Sequence, residues 1–247
     1  MLYRMKELNG YTLDGYDGIF GSVSGFYFDD RYWTIRYLVT DTGDWLRDRQ
    51  VLISPYALVS VDATEHHITV NLTKEQIEKS PPLTSDVPVS QQYETTYHNY
   101  FEWPMYWAGP YMWGAYPTIM RTTHSSGETA PDGKAWDPYL RSAHEVGSYA
   151  IHATDGDIGH IVDFIIDDEN WAIRYLIVAT HNWWPGKRVL ISTVWIKEVN
   201  WSESKVFVYL SKDIIQQSPE FTDDSAISRD YEVLLHRHYN RQGYWIE

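Results

Sequence analysis

Paired carboxylates are the first residues in this sequence that could do chemistry. They occur as Asp29-Asp30 and again as Asp167-Asp168. Acid–base catalysis needs two carboxylates that converge across a cleft with their pKa values pushed apart. Adjacent aspartates that follow a run of strand-forming residues are typical of turns. We therefore predict two turns here and no catalytic dyad.

Histidines are the second group of residues that could do chemistry. Of ten histidines, only His66-His67 and His236-Arg237-His238 lie close together in sequence. Neither pair has a third ligand at metal-binding spacing, and the chain has no cysteine to supply a thiolate. No nucleophile elbow, HExxH motif or glycine-rich phosphate loop is present. The sequence thus predicts no enzyme activity, no metal site and no cofactor.

Charge and hydropathy exclude several classes of partner. The formal net charge is -14 over 247 residues. Nucleic acids and anionic membrane surfaces attract clustered Lys and Arg, so an acidic chain is a poor partner for either. No run of 18 apolar residues is present, so we expect no membrane insertion and a cytoplasmic location.

One offset, 138 residues, superimposes most of the chain on itself. It carries Asp17-Gly18 onto Asp155-Gly156, and Val51–Ser54 onto Val189–Ser192. Such self-similarity indicates an internal duplication. We expect a first copy at residues 1–109, a linker rich in Gly, Pro, Ser, Thr and aromatic residues at 110–138, and a second copy at 139–247. The repeat-equivalent residues expected to serve the structure are Trp33, Arg36 and Tyr37, matched by Trp171, Arg174 and Tyr175.

Each copy has the pattern of a mainly β domain. Apolar residues alternate with polar ones from Trp33 to Val39, which predicts a strand. Thr73 and Gln76 have the spacing of a capping box, and Ser80-Pro81 would end the short helix that begins there. Ser211 takes the capping position in the second copy. Five or six short strands per copy, each set followed by a short helix and an aromatic tail, predict two tandem small β-barrels.

The residue pattern that the two copies share resembles that of the PRC-barrel domain. The resemblance rests on Asp17-Gly18, Gly21, Val23, Asp29-Asp30, Trp33, Arg36–Val39 and Val51–Ser54. That domain occurs in the cytoplasmic part of the photosynthetic reaction-centre H subunit, in a ribosome-maturation factor and in stand-alone bacterial proteins. The resemblance implies an adaptor or stabilising module without shared catalytic residues.

Arg36 and Arg174 lie on the strand face opposite the aromatic residues and leave two interpretations open. Each could contact an anionic ligand. Each could instead form a structural ion pair with Asp29 or Asp30 or their counterparts, or pack its stem on an aromatic ring.

The density of aromatic residues is the unusual feature of the composition. The chain has 12 Trp and 20 Tyr, most crowded between Tyr100 and Tyr116. Such residues could pack inside their own domain, form a protein interface, or stack on a saccharide. The candidate interface residues are Trp103, Tyr106, Trp107, Tyr111, Trp113, Tyr116, Tyr244 and Trp245.

Two functional hypotheses follow from these patterns. The first is a non-enzymatic module that binds or stabilises another protein, with the copies paired as a pseudo-dimer and a homo-oligomer as a further option. The resemblance associates it by analogy with reaction-centre-type or ribosome-type assemblies. The alternative is a binder of a small molecule or saccharide, or an unrecognised enzyme, that uses an aromatic cleft between the copies.

Overall fold

The computed structural model describes residues 1–46, 50–82, 91–107, 139–180, 186–222 and 227–246. These residues form two compact units. The N-unit consists of Leu8–Ala143 and Asn170–Ala172, and the C-unit consists of Met1–Glu7, His144–Glu169 and Ile173–Glu247. No helix in the described part of the chain is long and apolar enough to cross a membrane.

Strands dominate both units, as the sequence predicts. The first half contains β1 (Leu2–Arg4), α1 (Met5–Leu8), β2 (Thr12–Gly15), β3 (Gly18–Asp29), β4 (Thr34–Asp41), β5 (Val51–Ile53), β6 (Leu58–Asp62), β7 (His67–Val70), α2 (Lys74–Glu78) and α3 (Gln91–Phe101). The second half contains β8 (Leu140–Ser142), α4 (Ala143–Val146), β9 (Ala150–Ala153), β10 (Gly156–Asp167), β11 (Ile173–Thr180), β12 (Arg188–Ser192), β13 (Ile196–Asn200), β14 (Lys205–Val208), α5 (Lys212–Gln216) and α6 (Arg229–His238).

Each unit contains one seven-stranded sheet. The N-unit sheet has the order β5-β4-β3-β2-β7-β6, with β8 also paired to β3. The C-unit sheet has the order β12-β11-β10-β9-β14-β13, with β1 also paired to β10. The mainly β prediction is confirmed, but the described strands of each sheet form an open path and show no pairing between its two ends, so no closed barrel is observed among them.

One strand of each sheet comes from the other copy of the sequence. Strand β1 pairs with β10 so that Leu2 lies opposite Asp167. Strand β8 pairs with β3 so that Leu140 lies opposite Asp29. The offset of 138 converts one register into the other. The seventh strand of each sheet is therefore an exchanged one, which the strand pattern within a copy did not predict.

Gly21 and Gly159 occupy the same crowded position in β3 and β10. A Cβ on Gly21 would collide with the carbonyl oxygen of Asp41, and one on Gly159 with the carbonyl oxygen of Ala179. Only glycine allows this close approach of two neighbouring strands. The repeat therefore keeps glycine here for a packing reason.

The predicted short helix is present in both units and is capped from a distance. The Lys74 amide donates to the Asp17 carboxylate at 2.9 Å, and the Lys212 amide donates to Asp155 at 2.8 Å. An acidic side chain satisfies an amide that has no partner inside the helix. The aspartate of each Asp-Gly turn thus joins the sheet to α2 or α5.

The tryptophans that were expected to start β4 and β11 lie instead in the preceding turns. Trp33 has a φ of 50° and Trp171 a φ of 58°. A bulky residue in the left-handed region is strained, and it persists only where packing holds it. Both side chains are buried, and the Trp33 ring stacks on Phe28 with centroids 5.2 Å apart.

Candidate functional site

A group of polar side chains in the N-unit forms a buried network under α3. Glu94 and His98 are one helical turn apart, so they project from the same face of α3 toward Tyr37 on β4. The Tyr37 hydroxyl donates to Glu94 Oε1 at 2.8 Å and lies 2.8 Å from His98 Nε2. The Tyr106 hydroxyl donates to the same glutamate oxygen at 2.6 Å. All four side chains are buried.

Arg36 brings a positive charge to this network. Its guanidinium lies 4.1 Å from the ring centroid of Tyr106 and 3.5 Å from a carboxylate oxygen of Asp29. The Arg36 side chain has no exposed surface. Contacts of this kind with a ring face and a carboxylate stabilise a buried cation. The ion pair that the sequence left open for Arg36 is therefore made, and the guanidinium rather than the stem lies over an aromatic ring.

The hydrogen-bond geometry fixes the tautomer of His98. His98 Nδ1 lies 2.9 Å from the Pro104 carbonyl oxygen, which only accepts, so Nδ1 carries a proton. In the neutral imidazole, Nε2 is then an acceptor that competes with Glu94 Oε1 for the proton of the Tyr37 hydroxyl.

Burial keeps the imidazole of His98 neutral. The pKa of His98 is lowered to about 4, mainly by desolvation and also by the charge of Arg36, against the effect of hydrogen bonds to the backbone. The imidazolium form is therefore disfavoured. Such a network holds α3 on the sheet and is closed to solvent.

The C-unit contains the same network under α6. The Tyr175 hydroxyl donates to Glu232 Oε1 at 2.8 Å and lies 3.0 Å from His236 Nε2. The Tyr244 hydroxyl donates to the same glutamate oxygen at 2.8 Å. Burial lowers the pKa of His236 and raises the pKa of Tyr175. Arg174 lies 4.0 Å from the centroid of the Tyr244 ring.

The ionic part of the network differs in the C-unit. Arg174 bonds Asp167 Oδ2 through Nη2 at 2.8 Å and through Nε at 3.1 Å. Arg229 adds a second cation, 2.9 Å from Glu232 Oε2, and lies over the ring of Trp245 at 4.2 Å. Asp167 and Glu232 therefore each pair with a different arginine.

Residues 143–213 match the PRC-barrel domain family. This segment is a PRC-barrel domain. It contains β9 to β14 together with Arg174 and Tyr175, which lie on the sheet side of the network. Glu232, His236 and Tyr244 lie beyond the matched PRC-barrel segment, so the partners that close the network are supplied by the segment that follows it. No curated protein matches the chain.

Sequence reasoning found the sheet side of the network and missed the helix side. It recognised Arg36, Tyr37, Arg174 and Tyr175 as repeat-equivalent. The i,i+4 spacing of Glu94 and His98, repeated at Glu232 and His236, was the signal for two further helices. These glutamates and histidines form the helix side of the two networks.

The candidate interface residues divide into three groups. Tyr106 is 1% exposed and belongs to the core of the N-unit. Trp103, Trp107, Tyr244 and Trp245 are partly exposed. Tyr111, Trp113 and Tyr116 lie outside the described residues. Packing within the unit therefore accounts for Tyr106, and the interface role of the partly exposed residues stays a prediction.

The remaining sequence candidates have structural surroundings. The Asp29 carboxylate accepts from the Arg31 and Tyr32 amides at 2.8 and 3.3 Å, which is turn geometry. The His66 ring lies 5.1 Å from the Tyr11 ring at a tilt of 38°, and His238 Nε2 lies 2.7 Å from the Ile214 carbonyl oxygen. Within the described ranges, no group of three or more His, Asp or Glu side chains could hold a metal ion.

Proposed function

We propose that this protein is a non-enzymatic module that binds another protein, built from a duplicated PRC-barrel-type domain. The tyrosine, glutamate and histidine side chains of the two networks support this, because in each unit they hydrogen-bond one another beneath a helix. A substrate could not reach Tyr37, Glu94 and His98 without displacing α3. An adaptor needs a rigid fold with an outer surface, and such networks rigidify a fold.

The exposed face of α6 carries the proposal. Val233 is 38% exposed and Leu234 is 53% exposed, on a helix whose other face is buried. The corresponding positions of α3 are Thr95 and Thr96. Apolar side chains that face solvent on one helix, where the equivalent helix has threonines, are typical of a contact surface. Ile246, also 53% exposed, follows the partly exposed Trp245 in the same unit.

The test exchanges these side chains for those of the other copy. The full-length V233T/L234T variant keeps a residue type that the equivalent helix accepts, so we expect it to fold. An R237Q variant alters the same exposed face without removing apolar surface and serves as the control. Cytoplasmic proteins cross-linked to each variant would be quantified by mass spectrometry, and ribosomal and photosynthetic fractions would be compared where the source organism has them.

The expected result is one partner that the wild type and R237Q recover equally and that V233T/L234T loses by about tenfold, the effect of removing a central apolar contact. Sedimentation velocity shows whether that partner is a second copy of the chain. Equal recovery by all three proteins would contradict the proposed surface. Substrate turnover by the purified protein would contradict the non-enzymatic assignment.

A saccharide-binding function is the second candidate, and one groove in the N-unit favours it. The groove has a volume of about 570 Å³ and is lined by Trp45, Lys74 and Asp41 among others. Trp45 is 39% exposed, and an exposed ring beside polar groups is suited to stacking on a sugar. The test is tryptophan fluorescence during titration with neutral oligosaccharides. A saturable change that W45A abolishes would favour this candidate, and an unchanged spectrum would exclude it.

A further inference from the structure

A charged pocket in the C-unit lies where β1 and α1 meet β10 and β12. It is open to solvent and has a volume of about 400 Å³. Three cations line it, namely Arg4, Lys6 and Arg188, together with two acids, Glu7 and Asp163. The pocket thus carries a net positive charge in a chain whose formal net charge is -14.

The two acids play different parts in the pocket. Glu7 is exposed and pairs with Arg4, whose Nε donates to Glu7 Oε1 at 2.7 Å. Asp163 is only 8% exposed and accepts hydrogen bonds from the Phe164 amide at 2.8 Å and the Lys6 amide at 3.2 Å. The Asp163 carboxyl therefore has a fixed orientation in the pocket wall, next to the cations.

The N-unit shows what the same fold looks like without these charges. The offset of 138 places Ser142 at the position of Arg4, His144 at that of Lys6, Gly25 at that of Asp163 and Gln50 at that of Arg188. The exchanged strands nevertheless pair in the same register, with Arg4 opposite Ile165 in one unit and Ser142 opposite Tyr27 in the other.

The comparison shows that the fold can hold its exchanged strand without this cluster. If the three cations and Asp163 were needed to hold the exchanged strand, the N-unit would need charged side chains at the same four positions. It holds its exchanged strand with a serine, a histidine, a glycine and a glutamine there. Four charged residues that gather at one pocket in only one of the two copies are better explained by a ligand.

We propose that this pocket binds a small organic anion that also carries a hydrogen-bond donor. Arg4, Lys6 and Arg188 bind a carboxylate or phosphate, for which guanidinium groups offer paired donors. Asp163 accepts from an adjacent hydroxyl or ammonium group of the same molecule. The site is separate from the exposed face of α6, so it stands independently of the protein-binding function.

The test uses the full-length protein and three probes that separate the two halves of the ligand. Glycerol 3-phosphate has a phosphate and hydroxyl donors, serine has a carboxylate and an ammonium donor, and inorganic phosphate stands for the oxyanion alone. Amide chemical shifts of Lys6 and Phe164 report binding directly, because both amides bond Asp163. Titrations at about 0.15 M salt screen non-specific charge effects.

Two variants carry residues that the fold already accepts. R188Q and R4S introduce the side chains found at the same positions of the N-unit. We expect each to weaken binding by about tenfold or more, the effect of losing a hydrogen bond to a charged group. The matched control is K197Q, which removes one exposed cation outside the pocket and should leave the affinity unchanged.

The outcomes decide the proposal. Binding of glycerol 3-phosphate or of serine, tighter than inorganic phosphate and lost in R188Q, supports it and identifies the anionic group. Inorganic phosphate bound as tightly as both organic probes would overturn it, because Asp163 would then select nothing. It would also be overturned if no probe shifted the two amides, or if K197Q weakened binding as much as R188Q.

Discussion

The two buried networks share a hydrogen-bonded framework and differ in how their charges meet water. In the N-unit, Arg36 has no exposed surface and lies 3.5 Å from Asp29. In the C-unit, Arg174 retains 14% exposure and bonds Asp167 at 2.8 Å. Arg229, which pairs with Glu232, is 51% exposed, and Gln91 stands at its position in the other copy. The C-unit therefore solvates part of its charge, while the N-unit keeps Arg36 in its interior.

This difference suggests that the same framework tolerates change unequally. A buried charge is stabilised only by the partners that surround it, since water cannot replace them. A partly exposed charge can turn to solvent when a partner is lost. We expect substitutions in the N-unit network to cost more than the equivalent substitutions in the C-unit.

The largest difference is expected for the tyrosine that closes each network. Tyr106→Ala removes a side chain that is 1% exposed, and it should cost about 3–5 kcal/mol by opening a cavity. Tyr244→Ala removes a partly exposed ring, and it should cost about 1–3 kcal/mol. Denaturant unfolding with hydrogen exchange of α3 and α6 measures both. Equal losses would show that exposure of the ionic groups does not decide the sensitivity.

The next effect is on the pH dependence of stability, to which His98 and Asp30 contribute in opposite directions. The pKa of His98 is lowered to about 4 in the folded N-unit, so its contribution is complete above the unfolded value near 6.5 and is lost as the pH falls toward 4. Burial raises the pKa of Asp30 to about 6, so its contribution is present at low pH and is lost as the pH rises through 6. The two contributions offset each other between pH 4 and 6.

Asp30→Asn separates these contributions. In that variant the N-unit should lose about 3 kcal/mol between pH 7 and pH 4, because unfolding then lets His98 bind a proton. The groups that face His98 are Glu94, Tyr37, Tyr106 and Arg36, and we expect Arg36 to keep the imidazole neutral. Urea unfolding at a series of pH values measures the slope. A pH-independent stability of the Asp30→Asn protein would contradict the neutral histidine.

The sequence was sufficient for the sheets and insufficient for the helix side of the networks. Period-two alternation located β4 and β11, and the Thr73–Gln76 spacing located α2. Helices α3 and α6 were missed because Glu94, His98 and their counterparts turn polar side chains toward the interior, which weakens the apolar periodicity that signals a helix. That the polar face of each helix is the buried one becomes clear only from the structure.

The strand exchange lies beyond what local patterns can show. Strands β1 and β8 have three residues each, and their partners lie more than a hundred residues away along the chain. Three residues carry no periodicity, and the choice of pairing partner depends on tertiary packing rather than on propensity. The pocket beside Asp163 was missed for the same reason, since its cations Arg4 and Arg188 lie far apart in the sequence.

The caps of α2 and α5 give a smaller contrast in the opposite direction. Thr73 Oγ1 accepts from the Gln76 amide at 3.2 Å, and Gln76 Oε1 accepts from the Thr73 amide at 2.9 Å. Ser211 makes no capping bond with its side chain. Asp155→Ala should therefore cost about 1–2 kcal/mol, and Asp17→Ala only about 0.5–1 kcal/mol. Hydrogen exchange in the two helices measures this, and a larger loss for Asp17→Ala would contradict it.

The smallest effect concerns the exchanged strand of the N-unit. Arg141 Nε donates to Asp30 Oδ2 at 2.8 Å, whereas the corresponding Asp168 pairs with the amino group of Met1. Arg141 is 29% exposed, so Arg141→Gln should cost at most about 1 kcal/mol. The pKa of Asp30 should nevertheless rise above about 6, because the hydrogen bond and charge that oppose its desolvation are removed. Carboxyl ¹³C titration measures this shift, with the pKa of Asp163 as the internal control. An unchanged pKa of Asp30 would mean that solvent, rather than Arg141, already balances its charge. The N-unit would then share the solvated character of the C-unit.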